Sequence, residues 1–176
     1  NKNWKQAIEE LSWAITLGSE KPDTYYFLGL AWAMQGAHLK AIPFLQQAVS
    51  IRPYKAHYHF HLGNAYRLSK HFDEALQEYR KTLKIQPEHI EAQNNIGIIF
   101  LTLEAYEKAE IEFKKALSIN INLPQVHHNL ALLYLIINHS TDAVFHLKQV
   151  IKLQPDNMTA KKLLGYTLRK IRENPS

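Results

Sequence analysis

Histidine is the residue in this chain whose type and spacing first suggest chemistry, and there are ten of them. His57, His59 and His61 alternate. His57 and His61 stand four residues apart, which puts two imidazoles on one face of a helix. A zinc site needs a third ligand, and neither an H-E-x-x-H motif nor a well-placed carboxylate supplies one. His128 lies too far along the chain to complete the set. Cysteine is absent, which excludes disulfides and thiolate metal sites. No glycine-rich phosphate loop, nucleophile elbow or paired-carboxylate arrangement occurs. The residues therefore predict no catalytic group, no metal and no cofactor. The histidines read instead as polar contacts of a binding surface.

The elements that must position those side chains follow a period of 34 residues. Leu28-Gly29, Leu62-Gly63, Ile96-Gly97, Leu130-Ala131 and Leu164-Gly165 keep that step. So do Trp32, Tyr66, Phe100, Tyr134 and Leu168. A small-residue column holds Ala7, Ala41, Ala75, Ala109 and Ala143. A large one holds Leu11, Leu45, Tyr79, Phe113 and Leu147. A third holds Ala14, Ala48, Thr82, Ala116 and Val150. Within each period, apolar residues recur at spacings of three and four, which is helix rather than strand periodicity. The glycine and alanine columns predict close helix crossings, with the aromatic column of the first helix filling the space they leave. Pro53, Pro87 and Pro155 fall where a helix must stop, and Pro22 and Pro124 where the next begins.

The stretch from Leu62 to Pro87, LGNAYRLSKHFDEALQEYRKTLKIQP, resembles the tetratricopeptide repeat. That family carries L-G-x-x-Y in a first helix and A-x-x-x-F-x-x-A in a second, followed by proline. The resemblance covers the whole chain. It implies an all-α fold, a right-handed α-solenoid of antiparallel helix pairs. The repeats fall at 22–55, 56–89, 90–123 and 124–157, with a lone second helix at 1–21 and a terminal or capping first helix at 158–176. One continuous array is expected.

The same resemblance implies a function. First helices of this family line a concave groove that holds a segment of a partner protein. Helical geometry assigns to that groove Tyr26, Phe27 and Leu30, then His57, Phe60, His61, Asn64 and Arg67. Next come Asn94, Asn95 and Ile98, with Glu91 and Leu101. His128, Asn129 and Leu132 follow, with Gln125 and Leu135, and finally Lys162, Tyr166 and Arg169. Asn95 and Asn129 share a column, with His61 one repeat earlier. An amide that donates and accepts together suits a peptide backbone, or a bond between neighbouring helices. Tyr26, Phe27, Leu30, Phe60, Ile98, Leu101, Leu132 and Leu135 suggest an apolar strip where solvent should reach, suited to a ligand with hydrophobic anchors such as an amphipathic helix. The two-carboxylate clamp of chaperone-tail binders is not expected. Its basic places hold Tyr26, Phe60, Glu91, Asn95, Gln125 and Asn129, and Asn64 alone fits.

Charge and chain ends bound the alternatives. The net charge is +5, with a basic tail of Lys161, Lys162, Arg169, Lys170 and Arg172. That tail is read as a solvated helix end rather than a nucleic-acid contact. No apolar run is long enough for a membrane span. The compartment stays open, with the cytoplasm favoured. The chain does not start with Met, so it reads as part of a longer protein. Trp4, Ile8, Leu11 and Ile15 of the first helix would form an open apolar stripe, covered by an upstream repeat or used for self-association. A protein-interaction scaffold is the function expected. The alternatives are a substrate-recruiting arm of a larger enzyme and a self-assembling structural module.

Overall fold

A computed structural model describes residues 2–173, and among these every regular element is an α-helix. The helices are α1 (Lys2–Thr16), α2 (Pro22–Met34), α3 (His38–Ile51), α4 (Ala56–Leu68), α5 (Phe72–Ile85), α6 (Ile90–Thr102), α7 (Tyr106–Ile119), α8 (Pro124–Ile136), α9 (Ser140–Leu153) and α10 (Met158–Glu173). From α2 onward, each even-numbered helix starts 34 residues after the previous one. The fold is an all-α helical-repeat solenoid. Pro22 and Pro124 each open a helix, as expected of a residue without an N–H to satisfy. Among the described residues no helix is long and apolar enough to cross a membrane.

The chain forms two compact units, one ending at Ala92 and the other beginning at Gln93. In the first, α1 packs on α2, α2 on α3, α3 on α4 and α4 on α5. In the second, α7 packs on α8, α8 on α9 and α9 on α10.

The small and large columns meet inside each helix pair. Ala41, Ala75, Ala109 and Ala143 are fully buried, as are Leu45, Tyr79, Phe113 and Leu147. The pairing differs from the sequence expectation in one respect. The side chain lying over the first-helix glycine comes from the second helix. A Cβ on Gly29 would fall 2.6 Å from Leu45, on Gly63 2.8 Å from Tyr79, and on Gly97 2.6 Å from Phe113. Trp32, Tyr66 and Phe100 stand only half-buried, one turn further on. A residue three places after glycine is rotated about 60° away from it, too far to fill the same gap.

The apolar stripe of α1 is covered in part: Ile8 is buried, Leu11 and Ile15 are half-buried and Trp4 is exposed. Ile8 is buried with Leu28 and Ala31 of α2, and Leu11 and Ile15 pack around them. A second helix uses that stripe to seat the first helix of the next repeat. The large apolar side chains that α1 and its end do expose are Trp13, Leu17 and, at the margin, Trp4.

The turn between first and second helices is also periodic. Gly36, Lys70, Glu104 and Asn138 all have positive φ, between 58° and 81°. After each, an amide reaches back across the turn: Ala37 to the carbonyl of Trp32, His71 to Tyr66, Ala105 to Phe100 and His139 to Tyr134, at 2.8–3.0 Å. This is the Schellman closure, which favours glycine at the left-handed residue. Lys70 and Glu104 hold that conformation against a Cβ penalty.

Two expectations follow for stability in urea. Lys70→Gly and Glu104→Gly should each raise the unfolding free energy by about 0.5–1 kcal/mol, since glycine removes the left-handed strain. Unchanged midpoints would show that the turns are not strained. Gly97→Ala should lower stability by about 1–3 kcal/mol through overpacking against Phe113. Gly165→Ala has nothing within 4 Å of the added carbon and should gain up to about 1 kcal/mol from helix propensity. Equal effects at the two glycines would refute the assignment.

Candidate functional site

The alternating histidines part company in the structure. His59 points into the helix pair and is buried, His57 is exposed and His61 is half-buried. His59 Nδ1 lies 2.6 Å from Glu78 Oε2, and its Nε2 lies 2.8 Å from the carbonyl of Pro53. Lys81 donates to the other oxygen of Glu78 at 2.7 Å. Burial pushes the Glu78 carboxyl up, but the hydrogen bonds from His59 and Lys81 outweigh it and hold the group below the usual range. Both His59 nitrogens face oxygen atoms, one of the Glu78 carboxylate and one of the Pro53 carbonyl.

This contact is a rung repeated along the chain, and sequence reasoning missed it. Residues 19 apart join the first and second helices of three pairs: His59 with Glu78, Gln93 with Glu112, and His127 with His146. Gln93 donates to Glu112 from its side-chain amide. His127 repeats the His59 arrangement closely, with Nε2 at 2.8 Å from the carbonyl of Ile121. The signal was present as a column of hydrogen-bonding residues at 59, 93 and 127. It was hidden because polar residues in a helix are read as solvent-facing.

His127 and His146 meet Nδ1 to Nδ1 at 2.8 Å. A carbonyl only accepts, so His127 carries its proton on Nε2 and offers Nδ1 as an acceptor to His146. A second proton on His127 would set two N–H groups face to face. Burial, and then His127, hold the His146 pKa down at about 4.

On the other side of α4, rings gather into one surface. Tyr26 was expected to face solvent, yet it is buried, stacked on Tyr58 at 4.6 Å between centroids. The Tyr58 hydroxyl donates to Asp23, which also lies 3.6 Å from Arg52. Around Tyr26 stand Phe27, His57 and His61, at 5.2, 5.2 and 5.6 Å. Phe60 continues the surface, 5.3 Å from His61 and 4.5 Å from His89. Phe27 is well exposed, whereas Leu30 and Phe60 are half-buried. Asn64 and Arg67 are drawn toward the core: the Tyr79 hydroxyl donates to Asn64 Oδ1 at 2.7 Å and accepts from Arg67 Nε at 3.3 Å.

In the second unit Asn129, one member of the expected asparagine ladder, bonds to Asn94 rather than to its column partner Asn95. Asn129 donates to Asn94 Oδ1 at 2.9 Å. Asn95, Ile98, Leu101, Leu132 and Leu135 are half-buried. Beside Asn129 is an open pocket of about 350 Å³ lined by Pro124, Gln125, His128, Asn129, Gln154, Asn157 and Thr159. Asn157 is already bound at its oxygen, which accepts the Ala160 amide at 2.9 Å and caps α10. On α10, Lys162, Tyr166 and Arg169 are exposed. Among the described residues no group of three or more His, Cys, Asp or Glu could hold a metal ion.

Comparison with known proteins gives a consistent answer. Three family models described as tetratricopeptide repeat match residues 1–56, 56–122 and 124–157. The structure of MamA is similar with a TM-score of 0.82 at 17% identity, covering 90% of this chain and 92% of that one. PilF of Pseudomonas aeruginosa is similar at 0.76 and 26% identity, covering 86% and 69%. The C-terminal part of a repeat protein from Cytophaga hutchinsonii is similar at 0.84 and 15%, covering 94% and 65%. No curated protein matches the sequence.

The His127–His146 rung sets a pH dependence. The folded His146 pKa lies below its ordinary value of 6.5. Its contribution is therefore complete above about pH 6.5 and is lost as pH falls toward 4. It is on the order of 3 kcal/mol. His146→Glu would install the His59–Glu78 arrangement and should keep the helical circular dichroism signal to lower pH. Coincident acid midpoints for the variant and the parent would refute the argument.

Proposed function

The chain belongs to the tetratricopeptide repeat family, and from that premise we propose that the first helices of its repeats hold a segment of a partner protein. Arrays of this family are protein–protein interaction scaffolds, and typically non-catalytic. The observation that carries the finer reading is the pocket beside Asn129. It opens on His128 and Asn129, both named from the sequence, and on Gln125 of the same helix. Its lining has uncharged amides, an imidazole and a hydroxyl, able to donate and accept. Exposed Phe27 in the first unit and exposed Tyr166 in the second add apolar anchors on first helices. Large aromatic side chains can carry much of the binding energy when buried by a partner.

Affinity for one short segment should be about micromolar, because the free segment loses conformational freedom on binding. The test is affinity capture from native lysate with two variants beside the parent. One carries Phe27→Ala, Gln125→Ala, His128→Ala and Tyr166→Ala. The other carries Trp13→Ala, Leu39→Ala and Phe145→Ala on second helices. A protein retained by the parent and the second variant but lost from the first is expected. Loss from the second variant alone would move the site to the second helices and end this reading.

A further inference from the structure

We propose that the α2–α4 face bearing Phe27, His57, Phe60 and His61 takes an uncharged, proline-rich extended segment of a partner protein. The inference rests on the scaffold reading above and specifies the ligand of one face within the first unit.

The first argument is the ring arrangement. Buried Tyr26, stacked on Tyr58, fixes a base, and the rings of Phe27, His57 and His61 all stand within 5.6 Å of it. Phe60 and His89 prolong the same run of rings. Aromatic faces held at fixed edges are what proline rings pack on, because a polyproline II segment is extended before it binds and loses little freedom on docking.

The second argument is charge. Burial, then His57 and His89, hold the His61 pKa down at about 4. Burial, then Lys55, lowers His57, against a smaller opposing pull from Asp23. Both rings are therefore neutral at pH 7. The charged groups around them are few and of both signs. Asp23 faces Arg52 and the Tyr58 hydroxyl, and exposed Glu91 lies 3.2 Å from His89, whose Nδ1 accepts the Ala92 amide. Lys55 stands at the start of α4, beside His57. A strongly acidic or basic segment would find no array of opposite charge here.

The third argument is hydrogen bonding. Neither the His57 nor the His61 ring makes a hydrogen bond among the described residues. Each neutral imidazole has one N–H to give. A polyproline II segment makes no internal hydrogen bonds, so its carbonyls are free to accept. An α-helical ligand has closed its carbonyls internally. It would cover these donors without satisfying them, which costs free energy. Polar donors set among aromatic rings thus favour the extended proline-rich occupant over the amphipathic helix.

The test is nuclear magnetic resonance titration of the whole chain with decaproline, and separately with an amphipathic Leu/Lys helix peptide. Decaproline should shift the resonances of Phe27, His57, Phe60 and His61 in a saturable way. Phe27→Ala with His57→Ala, two exposed positions, should weaken it about fivefold or more while the circular dichroism spectrum stays unchanged. No shift at millimolar decaproline, shifts confined to other residues, or tighter binding of the helix peptide to this face would overturn the proposal. A partner captured as described above and not displaced by decaproline would leave the scaffold reading standing and remove this one.

Discussion

The fold depends on how closely the two helices of a pair approach, and glycine sets that distance. At Gly29, Gly63 and Gly97 the backbone of the first helix rests on a large side chain of the second. A methyl there would enter the space of Leu45, Tyr79 or Phe113. The fully buried alanines of the second helix keep the opposite side equally low. A helix pair spaced more widely would leave voids around these side chains, and interiors do not tolerate such voids without loss of stability. Ala131 occupies the glycine column in the fourth full repeat, buried with Leu147. The column therefore demands a small residue, and glycine where Leu45, Tyr79 or Phe113 comes within 3 Å of the added carbon.

That constraint explains which features were legible in the sequence. Spacing, helix type, turn position and the buried columns all follow from a 34-residue repetition of small and large residues. What escaped was the direction of individual side chains. Successive residues of a helix differ by about 100°, so an error of one position rotates a side chain from groove to core. Tyr26 and Phe27 show it: one is buried on Tyr58, and its neighbour is open to solvent. First helices such as α2 and α8 are apolar nearly all round, because they are packed by neighbours on more than one side. A helix of that kind has no polar face to mark which way it turns. Second helices such as α5, with charged residues along one side, were easier to orient.

The stripe of α1 illustrates the same limit from another direction. Ile8, Leu11 and Ile15 were legible as apolar, but not what covers them. In a solenoid, the second helix of one repeat seats the first helix of the next. The cover of Ile8, and part of that of Leu11 and Ile15, comes from α2, which follows in sequence. Nearest-neighbour burial of this sort is what makes repeat stability a sum over pairs and interfaces.

The buried polar rungs require a different argument, since buried polar pairs seldom add stability over well-packed apolar ones. The chain supplies its own comparison. The positions that hold His59 and Glu78 in one repeat, and His127 and His146 in another, hold Tyr25 and Phe44 in the first full repeat. The same helix pairing forms there without a polar rung, so the rung is not what drives association. What His59 and His127 do, and an apolar side chain cannot, is bind the carbonyls of Pro53 and Ile121, in the loops entering α4 and α8. Each ring ties three elements together: the entering loop, the first helix and the second. These carbonyls lie at the part-buried repeat junctions, and the histidine gives each a donor while its second nitrogen is held by the partner side chain. The two histidine rungs therefore tie the loops entering α4 and α8 to their helix pairs, and Glu78 and His146 orient the rings that do so.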